Sequence, residues 1–204
     1  ACLLGTGIMK GVFSESKTIH KWVNGQYSPE YRKFPKLSHV SLWDVYVDNN
    51  AMTPDDAEWF IERHRCTAKQ MRDFKAMDFF RSDIVDKCIS SGANYVEKSY
   101  ENVVREDDAQ MNEGRLWEVL EYWGYISVDE AIEAGLAIDA SSDKDQVSVN
   151  IWICGNEIIR VMTNPFLPQR LPYFMFNYEE DPYSLYGTGI PAAMEDSQKM
   201  MNGF

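Results

Sequence analysis

The sequence predicts an α+β fold, with antiparallel strands and hairpins, short interspersed helices, and a longer final helix cut by the fragment boundary. Three observations carry that expectation. Val147, Val149, Ile151 and Ile153 alternate with polar neighbours ahead of the turn pair Gly155-Asn156, which marks a hairpin over residues 147–162. Two capping boxes, Thr67-Ala68-Lys69-Gln70 and Ser127-Val128-Asp129-Glu130, open helical runs, the second ended by Gly135. Strands and helices do not alternate as the βαβ units of a parallel sheet would require.

In chain order, Gly5 to Phe13 and Thr18 to Val23 are short apolar-rich stretches that read as strands, the second closed by Asn24-Gly25. The proline-punctuated polar segment from Gln26 to Lys36 reads as a loop. His39 to Val47 reads as one strand, with a slip in its alternation, ending at Asp48-Asn49-Asn50. Thr53-Pro54-Asp55-Asp56 combines an N-cap residue with proline at the first helical position, so a helical turn or tight loop follows. Trp59 to Cys66 alternates as a strand. From Ala68 a helix places Met71, Phe74 and Met77 on one face. A second helix, Ser82 to Ser90, turns Ile84, Val85, Cys88 and Ile89 inward and stops at Gly92.

Tyr95 to Gly114 is polar on most faces and reads as a helix or a loop. Leu116 to Ile126 is rich in aromatics and favours a strand, and Ser127 opens a short helix ended by Gly135. After the hairpin, Pro165, Pro168 and Pro172 enforce an extended path to a last strand, Tyr173 to Tyr178. Gly187-Thr188-Gly189 then leads into a helix with Ile190, Ala193, Met194, Ser197, Met201 and Phe204 on one face. The expected organisation is a mainly β segment over 1–66, a helical segment over 67–114, a mainly β segment over 115–189 and the start of the C-terminal helix over 190–204. Together they form one compact portion of a larger subunit. The lack of an initiating Met, and a helical pattern still running at Phe204, predict a fragment.

Of 204 residues, 45% are hydrophobic and 13% aromatic, enough to build a core rather than a disordered chain. Twenty Lys and Arg face 32 Asp and Glu, a net charge of −12, which argues against tight, sequence-specific gripping of phosphate backbones. No apolar run is long enough to cross a membrane. Cys2, Cys66, Cys88 and Cys154 lack zinc-ligand or redox spacing and read as free thiols of a reducing compartment. His20, His39 and His64 are scattered, and each reads as a surface or satisfied core histidine rather than a ligand.

Catalytic chemistry finds little support. Gly5-Thr6-Gly7 and Gly187-Thr188-Gly189 match no phosphate-binding loop and read as turn glycines. The acids Asp44, Asp48, Asp55, Asp56 and Glu58 form the best candidate for a divalent-cation site, and through it for a metal-dependent hydrolase or nuclease. The same residues suit turns and a helix N-terminus, so no catalytic, cofactor-binding or metal residue is assigned.

Several blocks, in order, resemble one family. They are Leu4-Gly5-Thr6-Gly7-Ile8-Met9-Lys10-Gly11, Leu42-Trp43-Asp44-Val45-Tyr46-Val47-Asp48, Thr53 to Trp59, and Glu62-Arg63 before the capped helix at Thr67. After the hairpin at Gly155 come Asn164-Pro165-Phe166, Leu171-Pro172-Tyr173, Gly187-Thr188-Gly189-Ile190-Pro191, and the helix bearing Gln198 and Asn202. Together they resemble the portal, or head-to-tail connector, proteins of tailed bacteriophages of the podovirus-like kind. The motif positions are Gly5, Gly7, Asp44, Tyr46, Asp48, Pro165, Pro172, Gly187, Gly189, Gln198 and Asn202.

The resemblance implies a structural subunit rather than an enzyme, with no cofactor. Such subunits form a ring of about twelve copies, closed by heterologous contacts, at one capsid vertex. Double-stranded DNA is packaged and ejected through the ring without sequence-specific binding, and the expected partners are the packaging terminase, the capsid and tail or adaptor proteins. The expected location is the virion, after assembly in the bacterial host cytoplasm, with no membrane. Trp117, Tyr122, Trp123, Tyr125, Tyr183 and Tyr186 are candidates for subunit contacts, with plain core packing as the alternative. Another virion structural or scaffold protein is a further rival reading.

Overall fold

The computed structural model describes residues 1–96, 115–137 and 145–203. The chain divides into two compact units. One comprises residues 1–43, 52–56 and 172–204, the other residues 44–51 and 57–171. Each is built on its own antiparallel sheet, as the α+β expectation requires.

The first unit holds β1 (Thr6–Val23), β2 (Gln26–Val40) and a later strand, Tyr173–Asn177, in the order β2, β1, Tyr173–Asn177. Here the structure corrects two expectations. The two expected strands, Gly5 to Phe13 and Thr18 to Val23, merge into one that begins at Thr6, and the expected loop from Gln26 to Lys36 is part of its hairpin partner β2, paired from Val23↔Gln26 to Ile8↔Val40. Proline misled the reading of that segment. Pro29 and Pro35 lie on β2, an edge strand, where a missing N–H costs no ladder bond.

Tyr173–Asn177 covers β1 only from Thr6 to Lys10, so the rest of the hairpin is a two-stranded ribbon. Between Lys10 and Phe13 the register shifts by a bulge. Gly11 sits there at φ +139°, and a Cβ would lie 2.8 Å from the Lys36 carbonyl oxygen.

The second unit is a five-stranded meander of β3 (Val45–Val47), β4 (Trp59–Thr67), β5 (Leu116–Ser127), β6 (Gln146–Cys154) and β7 (Glu157–Thr163), in that spatial order. The strand expected over His39 to Val47 is broken. A 3-10 turn, Leu42–Asp44, separates the end of β2 from β3 and falls where the alternation slips. In chain order the Tyr173–Asn177 strand is β8.

The capping boxes form as the sequence predicts. Thr67 and Gln70 cap α1 (Ala68–Lys75), and Ser127 and Glu130 cap α3 (Val128–Glu133). Between them, α2 (Ser82–Ser90) ends at Gly92, whose N–H bonds the Ile89 carbonyl. Met71 of α1 and Val85 and Cys88 of α2 pack with Cys66, Phe80, Trp117, Val119, Cys154 and Ile159 to form this unit's apolar core.

The hairpin β6–β7 forms at Gly155-Asn156, with a bulge at Trp152 and Ile153. Ser148 and Asn150, polar residues of the alternation, are as buried as Val149 and Ile151, because both faces of β6 are covered. Most of the segment Tyr95 to Gly114, residues 97–114, lies outside the described residues. The final helix, α4 (Ile190–Asn202), has Pro191 in its first turn and ends where the Gly203 N–H bonds the Lys199 carbonyl. It buries no side chain.

Candidate functional site

The two Gly-Thr-Gly motifs, some 180 positions apart in sequence, meet in the first unit. Thr6 links them. Its hydroxyl accepts from the Gly187 N–H at 2.8 Å and donates to Asn177 Oδ1 at 2.8 Å. The Tyr178 N–H bonds the Gly5 carbonyl at 2.7 Å, and the Ile190 N–H bonds the Cys2 carbonyl at 2.9 Å.

Glycine is required here by approach. A Cβ on Gly5, which sits at φ +83°, would lie 1.9 Å from the Gly187 oxygen. On Gly187 it would lie 2.5 Å from the Glu179 oxygen, and on Gly189 2.5 Å from the Leu3 oxygen. Gly7 has no such clash. The arrangement is a backbone clasp closing the first unit, and the Gly187 N–H that an anion would need already serves Thr6. Pro172 is buried in the same unit, with its carbonyl accepting the Gly11 N–H at 2.9 Å.

Asp44 anchors the edge of the five-stranded sheet. Its Oδ1 accepts from Arg63 Nη2 at 2.7 Å and Nε at 3.0 Å, and its Oδ2 from Arg65 Nη2 at 2.8 Å. The Arg63 guanidinium, fully buried, also faces the Tyr95 ring. Asp48, likewise buried, accepts the Asn50 N–H at 2.9 Å in a turn. Asp55, Asp56 and Glu58 are exposed, and Asp56 accepts from the Thr53 hydroxyl.

The expectation of a cation site among Asp44, Asp48, Asp55, Asp56 and Glu58 is therefore corrected. Two of these carboxylates already serve an ion pair and a turn. The one group of potential metal ligands among the described residues is Glu62, His64 and Glu121, and it contains none of them.

That second group escaped the sequence reading. Glu62 and Glu121 are directly paired across β4 and β5, and the ligand atoms of the trio lie within 4.8 Å of one another. Both oxygens of Glu121 have partners. His64 Nε2 lies 2.7 Å from Oε2, while Trp123 Nε1 and Asn150 Nδ2 donate to Oε1 at 2.7 and 3.2 Å. The His64 ring stacks on Trp152 at 5.0 Å. Burial pushes the Arg160 guanidinium pKa down, and the Glu121 charge opposes that shift. The result is a buried polar lock across β4, β5 and β6. Period-two alternation carries its signal, because Glu121 shares the buried register of Trp117, Val119 and Trp123.

The sequence matches the family described as phage SU10 portal protein over residues 17–201. The chain belongs to this phage portal family. No curated protein matches it. The portal family is structural and is not a known enzyme family; its members are virion components with a role in head–tail assembly.

Of the aromatics proposed for subunit contacts in a portal, Trp117 and Trp123 are buried inside the second unit, Trp117 donating to the Cys88 carbonyl. Tyr122 is half-buried, and its hydroxyl donates to the Tyr125 carbonyl. Tyr125, Tyr183 and Tyr186 are exposed, Tyr183 the most so at 87%. Among the motif positions, Gly5, Gly187 and Gly189 form the clasp and Asp44 the ion pair. Tyr46, Pro165, Gln198 and Asn202 are exposed.

Proposed function

We propose that the chain is part of a portal subunit that closes into a ring of about twelve copies, joined by heterologous contacts. The ring is the conduit through which double-stranded DNA is packaged and ejected at the head–tail junction. Its partners are the terminase, the capsid, and tail or adaptor proteins, and it sits at the portal vertex of the virion after assembly in the host cytoplasm. The family match over residues 17–201 carries this reading. The net charge of −12 supports it, because an acidic conduit repels the phosphates that a basic one would trap. On this reading the exposed tyrosines Tyr125, Tyr183 and Tyr186 are available for subunit contacts.

Native mass and negative-stain imaging of the full-length protein test it. A closed ring of about twelve copies with an open axis is the expected outcome. A compact monomer or dimer would overturn the proposal.

A further inference from the structure

The ribbon made by the outer parts of β1 and β2 has two unlike faces. Its register puts Glu15, Lys17, Lys21, Glu30, Arg32 and Lys36 on one side. There the charges are matched. Lys36 and Lys17 reach Glu15 at 2.7 and 3.6 Å, and Lys21 and Arg32 both bind Glu30.

The opposite side carries His20, Trp22, Tyr27, Pro29, Tyr31 and Lys33 and not one carboxylate. His20 stacks on Tyr27, and Trp22 meets Tyr27 edge to face at 5.7 Å. Yet Trp22 is 73% exposed and Tyr31 75%.

Exposed Trp and Tyr on a carboxylate-free surface have the composition of the centre of a protein interface. Duplex DNA fits this face poorly. A phosphate-gripping surface needs several cations, whereas this side has Lys33.

Charge points to the occupant. Residues 12–37 hold five Lys and Arg against two Glu, while the rest of the chain holds fifteen against thirty acids. A second copy therefore offers the acidic surface that a basic ribbon seeks, and a heterologous contact of this kind uses two different patches on each subunit.

We propose that the Trp22–Tyr31 face of the ribbon docks onto the acidic surface of a second copy of this chain. The inference deepens the ring reading and rests on it for the closed geometry alone.

The test follows assembly of the full-length protein by mass photometry across concentration and salt. It compares wild type, the double variant Trp22→Ser/Tyr31→Ser, Lys33→Glu, and Lys17→Ala on the opposite face. Thermal unfolding verifies that each variant is folded, which the exposure of these residues predicts. The double variant should raise the concentration needed for assembly about tenfold or more, and Lys33→Glu should weaken assembly most at low salt. Lys17→Ala should assemble as wild type.

A folded double variant that assembles at the wild-type concentration overturns the docking proposal and leaves the ring intact. An open or dimeric wild-type assembly that the double variant breaks to monomers supports docking and refutes the ring. Assembly unchanged but binding of a short DNA duplex lost would overturn the proposal in favour of DNA. A wild type that stays monomeric overturns both readings.

Discussion

Asp44 shows how one residue serves as a structural pin where the sequence alone suggests a ligand. Its carboxylate faces two guanidiniums, one fully buried. Asp44→Ala removes both charge-assisted hydrogen bonds that Asp44 accepts from buried Arg63, with Glu118 still 3.7 Å from Nη1, and should lower unfolding free energy by about 3 kcal/mol in denaturant titration. Asp55→Ala, at an exposed position, should stay within about 0.5 kcal/mol. Gly5→Ala drives a Cβ into the backbone of Gly187 and Gly189 at a positive φ, so a loss of about 2–4 kcal/mol is expected in the same measurement. The thiols divide as sharply. Burial raises the Cys66 pKa to about 11 and the Cys154 pKa to about 12, and raises that of Cys88 as well, whereas Cys2 is exposed. Thiolate is the reactive form, so a maleimide pulse at pH 7 followed by peptide mapping should label Cys2 first and leave the other three unlabelled until unfolding.

Among the elements, the β1–β2 ribbon gives a pH test. Hydrogen bonds from Arg32 and Lys21 pull the Glu30 pKa down to about 2 from its ordinary 4.5. A depressed carboxylate stabilises the fold above its ordinary value, and that contribution fades as pH falls from about 4.5 through 2. A carboxyl titration of Glu30 by NMR should find its midpoint near the lower value, and a midpoint near 4.5 would show that the pairs do not form in solution.

The same element marks the limit of reading from sequence. Thr67–Gln70, Ser127–Glu130 and Gly155-Asn156 were legible because capping and tight turns are local chemistry. The strand from Gln26 to Val40 was not, because whether a proline is harmless depends on lying at a sheet edge, a fact of tertiary pairing. The Asp44 ion pair and the Glu62–His64–Glu121 lock were hidden for a related reason. Their partners come from strands whose register no local pattern states, although an acid in a buried alternation is a clue.

For the whole molecule, charge sets the expected behaviour toward nucleic acid. With twenty cations against 32 acids, the protein should bind duplex DNA more weakly than about 10⁻⁴ M at physiological salt. Fluorescence anisotropy with a labelled duplex checks this, and tighter binding would argue against a repelling conduit. At this scale the bulge between Lys10 and Phe13 matters beyond its own turn. Two residues of β1 oppose one of β2 there, so deleting Val12 would leave every neighbouring cross-strand pair intact, from Ile8↔Val40 at the base to Val23↔Gln26 at the tip. What such a deletion removes is the local bend and extra twist. Pairing and aim are thus written separately into this hairpin, and its tip could be pointed elsewhere without changing a single partner along its length.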